Sequence, residues 1–316
     1  MFTAFDVTAL TKALVEVEGF ITALVEEDTG LKPAGKLQWT AVNPQQMELV
    51  RRFEAVSADL PHLPELQAWA RETAEHLNEI LEEHGFSIRL VPWAKSPNRF
   101  GVVAIYDISI EWLQEGAVAN KEGVPYTIPS NGRPAFRLDM LANRLRFYRV
   151  KGRTIVKIPG QKAGDWLCLT STDRPLEQFH LLREVESLRR AMVPETSIYD
   201  FGGAVLPNVI FDTGTGLNIE WLIGLYLTDA AGDDWTIIQA RMQAKFAFGR
   251  KGARAKVGVG VGVTRIGGSL PMPDYVVDHD VIFWMERDGV PSEPFFVAYV
   301  ERREFADHQV ELSELK

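Results

Sequence analysis

The run Gly252-Ala253-Arg254-Ala255-Lys256-Val257-Gly258-Val259-Gly260-Val261-Gly262-Val263 limits what this chain can fold into, because small apolar residues recur in it at every second position. A period of two sends Ala253, Ala255, Val257, Val259, Val261 and Val263 to one face of a strand. Arg254, Lys256 and the glycines take the other face. Two readings follow. The segment is a permanent half-buried strand, or it is a strand that must also exist as a loop. The backbone freedom of Gly252, Gly258, Gly260 and Gly262 weakens the first and suits the second.

A chain of 316 residues with 46% hydrophobic content can bury a large core, as one big domain or two smaller ones. No stretch approaches a membrane span, and Met1-Phe2-Thr3-Ala4-Phe5-Asp6 lacks the charged start and apolar run of a secretory signal, so the cytoplasm is expected. A single cysteine, Cys168, excludes an intrachain disulfide, and its setting between Leu167 and Leu169 suits a small core residue better than a nucleophile. The net charge of -9 argues against nucleic acid as a partner. No acid occurs from Trp235 to Pro273, however. That interval holds a basic strip of Arg241, Lys245, Arg250, Lys251, Arg254 and Lys256, with Arg265 beyond it. The strip is either a solvated strand face or a site for an acidic partner or a protease.

Helices are expected mainly in the first third of the chain. Leu10, Leu14, Val17, Phe20, Ile21 and Leu24 have helical spacing within Thr8 to Glu27, and so do Leu66, Trp69, Ala70, Ala74, Leu77, Ile80 and Leu81 within Leu66 to His84. Asn43-Pro44 starts a third helix, which runs to Ser57. Strands are predicted over 86–91, 100–112, 144–151, 154–158 and 165–170. A helix follows over 175–192, and strands resume over 204–212 and from Trp235 onward. Glu301 to Lys316 is highly charged and is expected to project as an extension beyond a single domain over 1–300.

Residues 242–255, 278–287 and 294–300, with Leu206-Pro207-Asn208-Val209 and Val102 to Tyr106 upstream, come in an order that resembles the serpin superfamily of protease inhibitors. Residues 242–255 look like the strand and hinge that lead into the serpin reactive loop. Asp278 to Arg287 and Pro294 to Val300 resemble its carboxyl-terminal hairpin, Leu206-Pro207-Asn208-Val209 its proline-started strand, and Val102 to Tyr106 with Trp112 its central strand. The resemblance spans about residues 66 to 300. It implies an α+β fold with a large mixed β-sheet and a reactive-type loop between Gly252 and Pro271. It also implies a metastable fold that inhibits a serine or cysteine protease without being an enzyme itself. The loop is cut and inserts into the central sheet, with Gly252, Ala253, Ala255, Val257 and Val259 as the hinge. The scissile bond falls at Ile266-Gly267 or at Arg265-Ile266, the latter suiting a trypsin-like enzyme. Departures from the family pattern point to a non-inhibitory binding protein as the alternative. Val103 and Met242 stand where an asparagine and a histidine are usual, and Arg250 replaces an acid.

Other short motifs suggest different chemistry. Asp28-Thr29-Gly30 and Asp212-Thr213-Gly214 resemble the paired motifs of aspartic proteases, in which two carboxylates share one proton. Glu26 and Glu27 precede the first copy where that motif wants an apolar strand. Gly258 to Gly262 is not followed by a helix start, so it does not make a dinucleotide loop. The six histidines show no zinc spacing, and no cofactor or metal is expected. His279 between Asp278 and Asp280 is either a functional trio or the polar start of a strand.

Overall fold

The computed structural model describes residues 2–30, 37–59, 63–95, 99–214, 216–229, 232–254, 272–289, 294 and 296–314. Its elements begin with β1 (Phe2–Phe5), α1 (Val7–Thr29), β2 (Gln38–Thr40), α2 (Pro44–Val56), β3 (Leu66–Arg71) and α3 (Ala74–Glu83). Then come β4 (Gly101–Tyr106), β5 (Ile110–Glu111), β6 (Ala135–Asp139), β7 (Arg146–Val150), β8 (Arg153–Pro159), β9 (Asp165–Thr172) and α4 (Gln178–Ala191). After α4 the chain forms β10 (Ser197–Ile198), β11 (Gly203–Pro207), β12 (Val209–Asp212), β13 (Tyr226–Thr228) and β14 (Asp234–Thr236). The described strands close with β15 (Lys245–Gly249), β16 (Gly252–Arg254), β17 (Asp274–Val276), β18 (Asp280–Arg287) and β19 (Phe296–Val300).

Two compact units emerge. The first comprises Met1–Asp6, Ile108–Asp212 and Lys245–Lys316, the second Val7–Asp107 and Thr213–Ala244. In the first, a seven-stranded antiparallel sheet runs β1-β19-β18-β9-β8-β7-β10. Its centre is the β18–β9 ladder, eight pairs from Asp280 opposite Thr172 to Arg287 opposite Asp165. Val281 to Met285 are buried on both faces, which is why this strand reads as a continuous apolar run rather than an alternation. α4 buries Phe179, Leu181, Leu182, Val185 and Leu188, and Phe179 meets Phe5 edge-on at 4.9 Å. A mixed sheet β17-β11-β6 pairs β11 parallel to β17, and a further sheet runs β12-β15-β16-β5. Phe246 and Phe248 of β15 pack on Phe283 at 5.3 and 5.0 Å. Each such buried ring contributes about 1.5–3 kcal/mol.

The charged carboxyl-terminal segment does not project. Phe305, Ala306 and Val310 are buried in the first unit, because three apolar residues punctuate a segment whose average character is polar. Asn208 accepts from the amides of Ala306 and Val310, and Arg302 O accepts from that of Phe305, satisfying groups that burial would otherwise strand.

In the second unit α2 starts where the sequence places it. The Asn43 side chain accepts from Gln46 N at 2.9 Å and Pro44 occupies the first turn. The expected helix over Leu66 to His84 is corrected. Leu66–Arg71 is a strand paired antiparallel with β4, and the helix begins only at Ala74. The six-pair ladder to a β-branched partner outweighs local helical spacing. The strand expected over 86–91 does not form: the segment takes no regular secondary structure and joins no sheet. Side-chain amides replace ladder partners: Gln243 accepts from Ser87 N and Ile88 N, Asn78 bonds both backbone groups of Leu90, and Gln239 accepts from Val91 N. Among the described residues, no helix is long and apolar enough to cross a membrane.

Candidate functional site

The candidate hinge opens on a hairpin of the first unit. β15 ends at Gly249, Arg250 and Lys251 make the turn, and β16 returns with Gly252 opposite Gly249, Ala253 opposite Phe248 and Arg254 opposite Ala247. On its other side β16 pairs with β5, Gly252 opposite Glu111 and Ala253 opposite Ile110. β16 is therefore an interior strand.

Only small residues fit this seat. A Cβ added at Gly252 would stand 2.5 Å from the carbonyl oxygen of Ile110 and 3.0 Å from Cα of Glu111, and one at Gly249 would overlap the carbonyl oxygen of Val310. Ala253 is fully buried. Trp112 fastens the corner: its indole N–H donates to Gly249 O at 3.0 Å, its backbone N–H to Lys251 O at 3.1 Å, and its ring meets Phe248 edge-on. The amide of Gly116 donates to Arg250 O at 2.7 Å.

Four members of the basic strip, Arg241, Lys245, Arg250 and Lys251, have acidic neighbours. Arg250 pairs with Glu115 and, at 3.0 Å, with Glu311, while Lys251 reaches Glu311 at 2.7 Å. Lys245 pairs with Asp212 at 3.2 Å, and in the second unit Arg241 pairs with Glu220 at 3.3 Å. Hydrogen bonding from Lys251, helped by Arg250, holds the Glu311 carboxyl below its ordinary value. Such pairing cuts the net positive field that the strip's composition suggests.

The backbone of Arg254 lies in β16. Ala255, Lys256, Val257 and Val259 of the hinge and strip, and Arg265, Ile266 and Gly267 of the scissile region, lie outside the described residues. Val103 is buried in β4, and the backbone of Met242 bridges to Leu217.

The aspartic protease constellation is overturned. Asp28 lies inside α1, not on a strand-borne turn, and Asp212 at the end of β12 is neutralised by Lys245. The Asp278-His279-Asp280 trio is structural at both acids: Asp278 accepts from Ser130 N, and Asp280 accepts from Tyr299 Oη and Arg302 N. Burial, reinforced by Asp280, pushes the Tyr299 hydroxyl far up. Among the described residues, no group of three or more His, Cys, Asp or Glu side chains is placed to hold a metal.

A buried charge cluster escaped the sequence altogether. Glu286 on β18 takes Lys157 of β8 and, at 2.7 Å, Arg189 of α4. Burial pushes its carboxyl up, but the two cations outweigh that and leave it below its ordinary value. Beside it Cys168 is buried opposite Trp284, and burial pushes its thiol well up, as fits a core residue. No local motif marks this cluster, since its members come from three distant segments.

The sequence matches no protein-family profile and no curated protein. Among solved structures, SRPN18 from Anopheles gambiae is similar with a TM-score of 0.50 at 9% identity, over 96% of this chain and 92% of that one. Protease nexin-1 in complex with heparin has a TM-score of 0.43 at 10% identity, over 93% of this chain and 99% of its own. The thermophilic serpin tengpin has 0.42 at 10% identity, over 91% and 94%. At these identities the likeness concerns the fold, and the chain carries a divergent, serpin-like α+β fold.

Proposed function

We propose that this serpin-fold chain inhibits a serine or cysteine protease through cleavage in the 255–271 stretch, after which the amino-terminal side of the cut adds to the sheet behind β16. The observation that carries this reading is the seat of β16. Gly252 and Ala253 lie between β15 and β5 in a slot closed to larger side chains, and the run Ala255, Val257, Val259 continues the same small-residue alternation. Beyond the stretch the chain forms β17, paired with β11. Both flanks of the stretch are thus held by strands of one unit, the arrangement a bait loop requires.

In the proposed step the protease's serine or cysteine attacks the carbonyl carbon of Arg265 or Ile266. The C–N bond to the next residue breaks, the amine leaves with a proton, and the acyl bond to the enzyme persists while the strand inserts. The test is incubation with trypsin followed by denaturing electrophoresis and mass measurement. An adduct of protease plus the fragment ending at Arg265 supports the proposal, whereas complete turnover into two fragments with free, active trypsin refutes it for this enzyme class.

The ion pairs of Arg250 favour a second reading. Pairing with Glu115 and Glu311 fixes the hairpin turn, and a hairpin so fixed suits a non-inhibitory binding protein that retains the fold.

A further inference from the structure

We propose that the carboxyl-terminal segment Phe305–Glu314 is an intramolecular latch that holds the β15–β16 hairpin in its sheet and sets how readily that hairpin opens. Three successive residues of the hairpin corner, Gly249, Arg250 and Lys251, are engaged by this segment. Gly249 has its Cα face against the carbonyl of Val310, a closeness that only glycine permits. Arg250 and Lys251 both reach the carboxylate of Glu311. Ala247, two residues before Gly249 along β15, shares an apolar cluster with Ala306 and Val310, against which Ile210 and Leu312 also pack.

The latch is itself anchored. Buried Asn208, between β11 and β12, accepts from Ala306 N at 2.8 Å through its backbone and from Val310 N at 3.2 Å through its side chain, and it donates to Pro134 O at 3.0 Å. The Glu311 amide donates to the Glu314 carboxylate at 2.6 Å, closing the last turn so that the Glu311 side chain is presented to the hairpin. Gln309 donates to Ala135 O at 3.1 Å.

These contacts are a device rather than scaffolding because the strands do not need them for pairing. β15 keeps β12 and β16 as partners, and β16 keeps β15 and β5. What the segment adds falls on the corner through which any change in the seating of β16 must pass, and local opening is governed by such local contacts. The inference does not depend on protease inhibition.

The test is amide hydrogen exchange on the full-length protein and on Glu311→Ala, read by mass on peptides covering 246–254 and, as internal reference, 165–172 and 280–287. Losing two partly exposed ion pairs is expected to speed exchange at 250–254 by about fivefold, with the reference peptides unchanged. A second variant ending at Gln309 removes the Val310 contact as well and is expected to exceed tenfold, roughly 1.4 kcal/mol. If that variant does not fold, Glu311→Ala alone decides. Unchanged exchange at 250–254, or equal acceleration in the reference peptides, overturns the proposal.

Discussion

Replacing Gly252 by alanine adds one methyl group, and the structure sets its cost. The new Cβ would lie 2.5 Å from the Ile110 carbonyl oxygen, nearly an ångström short of ordinary contact, with Cα of Glu111 at 3.0 Å behind it. Both are backbone atoms of β5, so no side chain can swing away. Relief requires β16 and β5 to part, which stretches the bond from Trp112 N to Lys251 O, now 3.1 Å, and disturbs that from Gly116 N to Arg250 O. One weakened hydrogen bond plus overpacking costs about 2 kcal/mol. The same chemical change at Gly19, exposed inside α1 with nothing within 4 Å of its added Cβ, should instead stabilise by about 0.5–1 kcal/mol. Urea unfolding of Gly252→Ala and Gly19→Ala beside the parent gives the two shifts. Opposite signs are expected. A neutral or stabilising Gly252→Ala would refute the interior seating of β16.

Three further outcomes follow from the first unit. Glu286→Gln leaves Lys157 and Arg189, 14% and 19% exposed, without their shared anion, and should lower stability by about 3 kcal/mol in urea; a loss near zero would contradict the buried pairing. Because the Glu286 pKa is lowered on folding, its contribution is present above its ordinary value of 4.5 and fades as pH falls through the folded value. His308 is raised by its bonds to Glu314 and then Asp307, with Arg133 acting on Asp307 and Glu314 also holding Glu311 N. Its stabilisation is full below its ordinary value of 6.5 and is lost as pH rises through the raised value. After solvent screening, His308→Gln should therefore cost about 0.5 kcal/mol at about pH 5.5 and nothing at about pH 8.5, and a cost independent of pH would count against the contact. Cys168, buried with its thiol pushed up, should resist a thiol reagent until urea unfolds the chain; immediate labelling of native protein would contradict its placement.

Where local chemistry decides structure, the sequence is a good guide. Asn43-Pro44 starts α2 through a side-chain cap and a ring that suits the first turn, and the predicted strands over 144–170 appear as β7, β8 and β9. Where a distant partner decides, it is not. Leu66, Trp69 and Ala70 fit a helix as well as a strand, and only β4, more than thirty residues on, selects the strand. The tail over 301–316 looks polar on average, yet Phe305 and Val310 are buried, and the Val310 amide donates to Asn208. The same holds at the candidate site. Small residues at 252 and 253 are visible in the alternation, whereas β5, Trp112, Glu115 and Glu311 come from segments that no periodicity links to it.

The most direct test of loop insertion is the melting temperature of intact protein against protein nicked once by trypsin within 255–271, with the cut mapped by mass. A rise of roughly 10 °C or more after a cut at Arg265, several kcal/mol for a chain of this size, is the predicted result, because the freed strand would extend the seat that Gly252 and Ala253 already occupy. An unchanged melting temperature after the same cut would contradict it and leave the fixed-hairpin binding protein as the account of this fold.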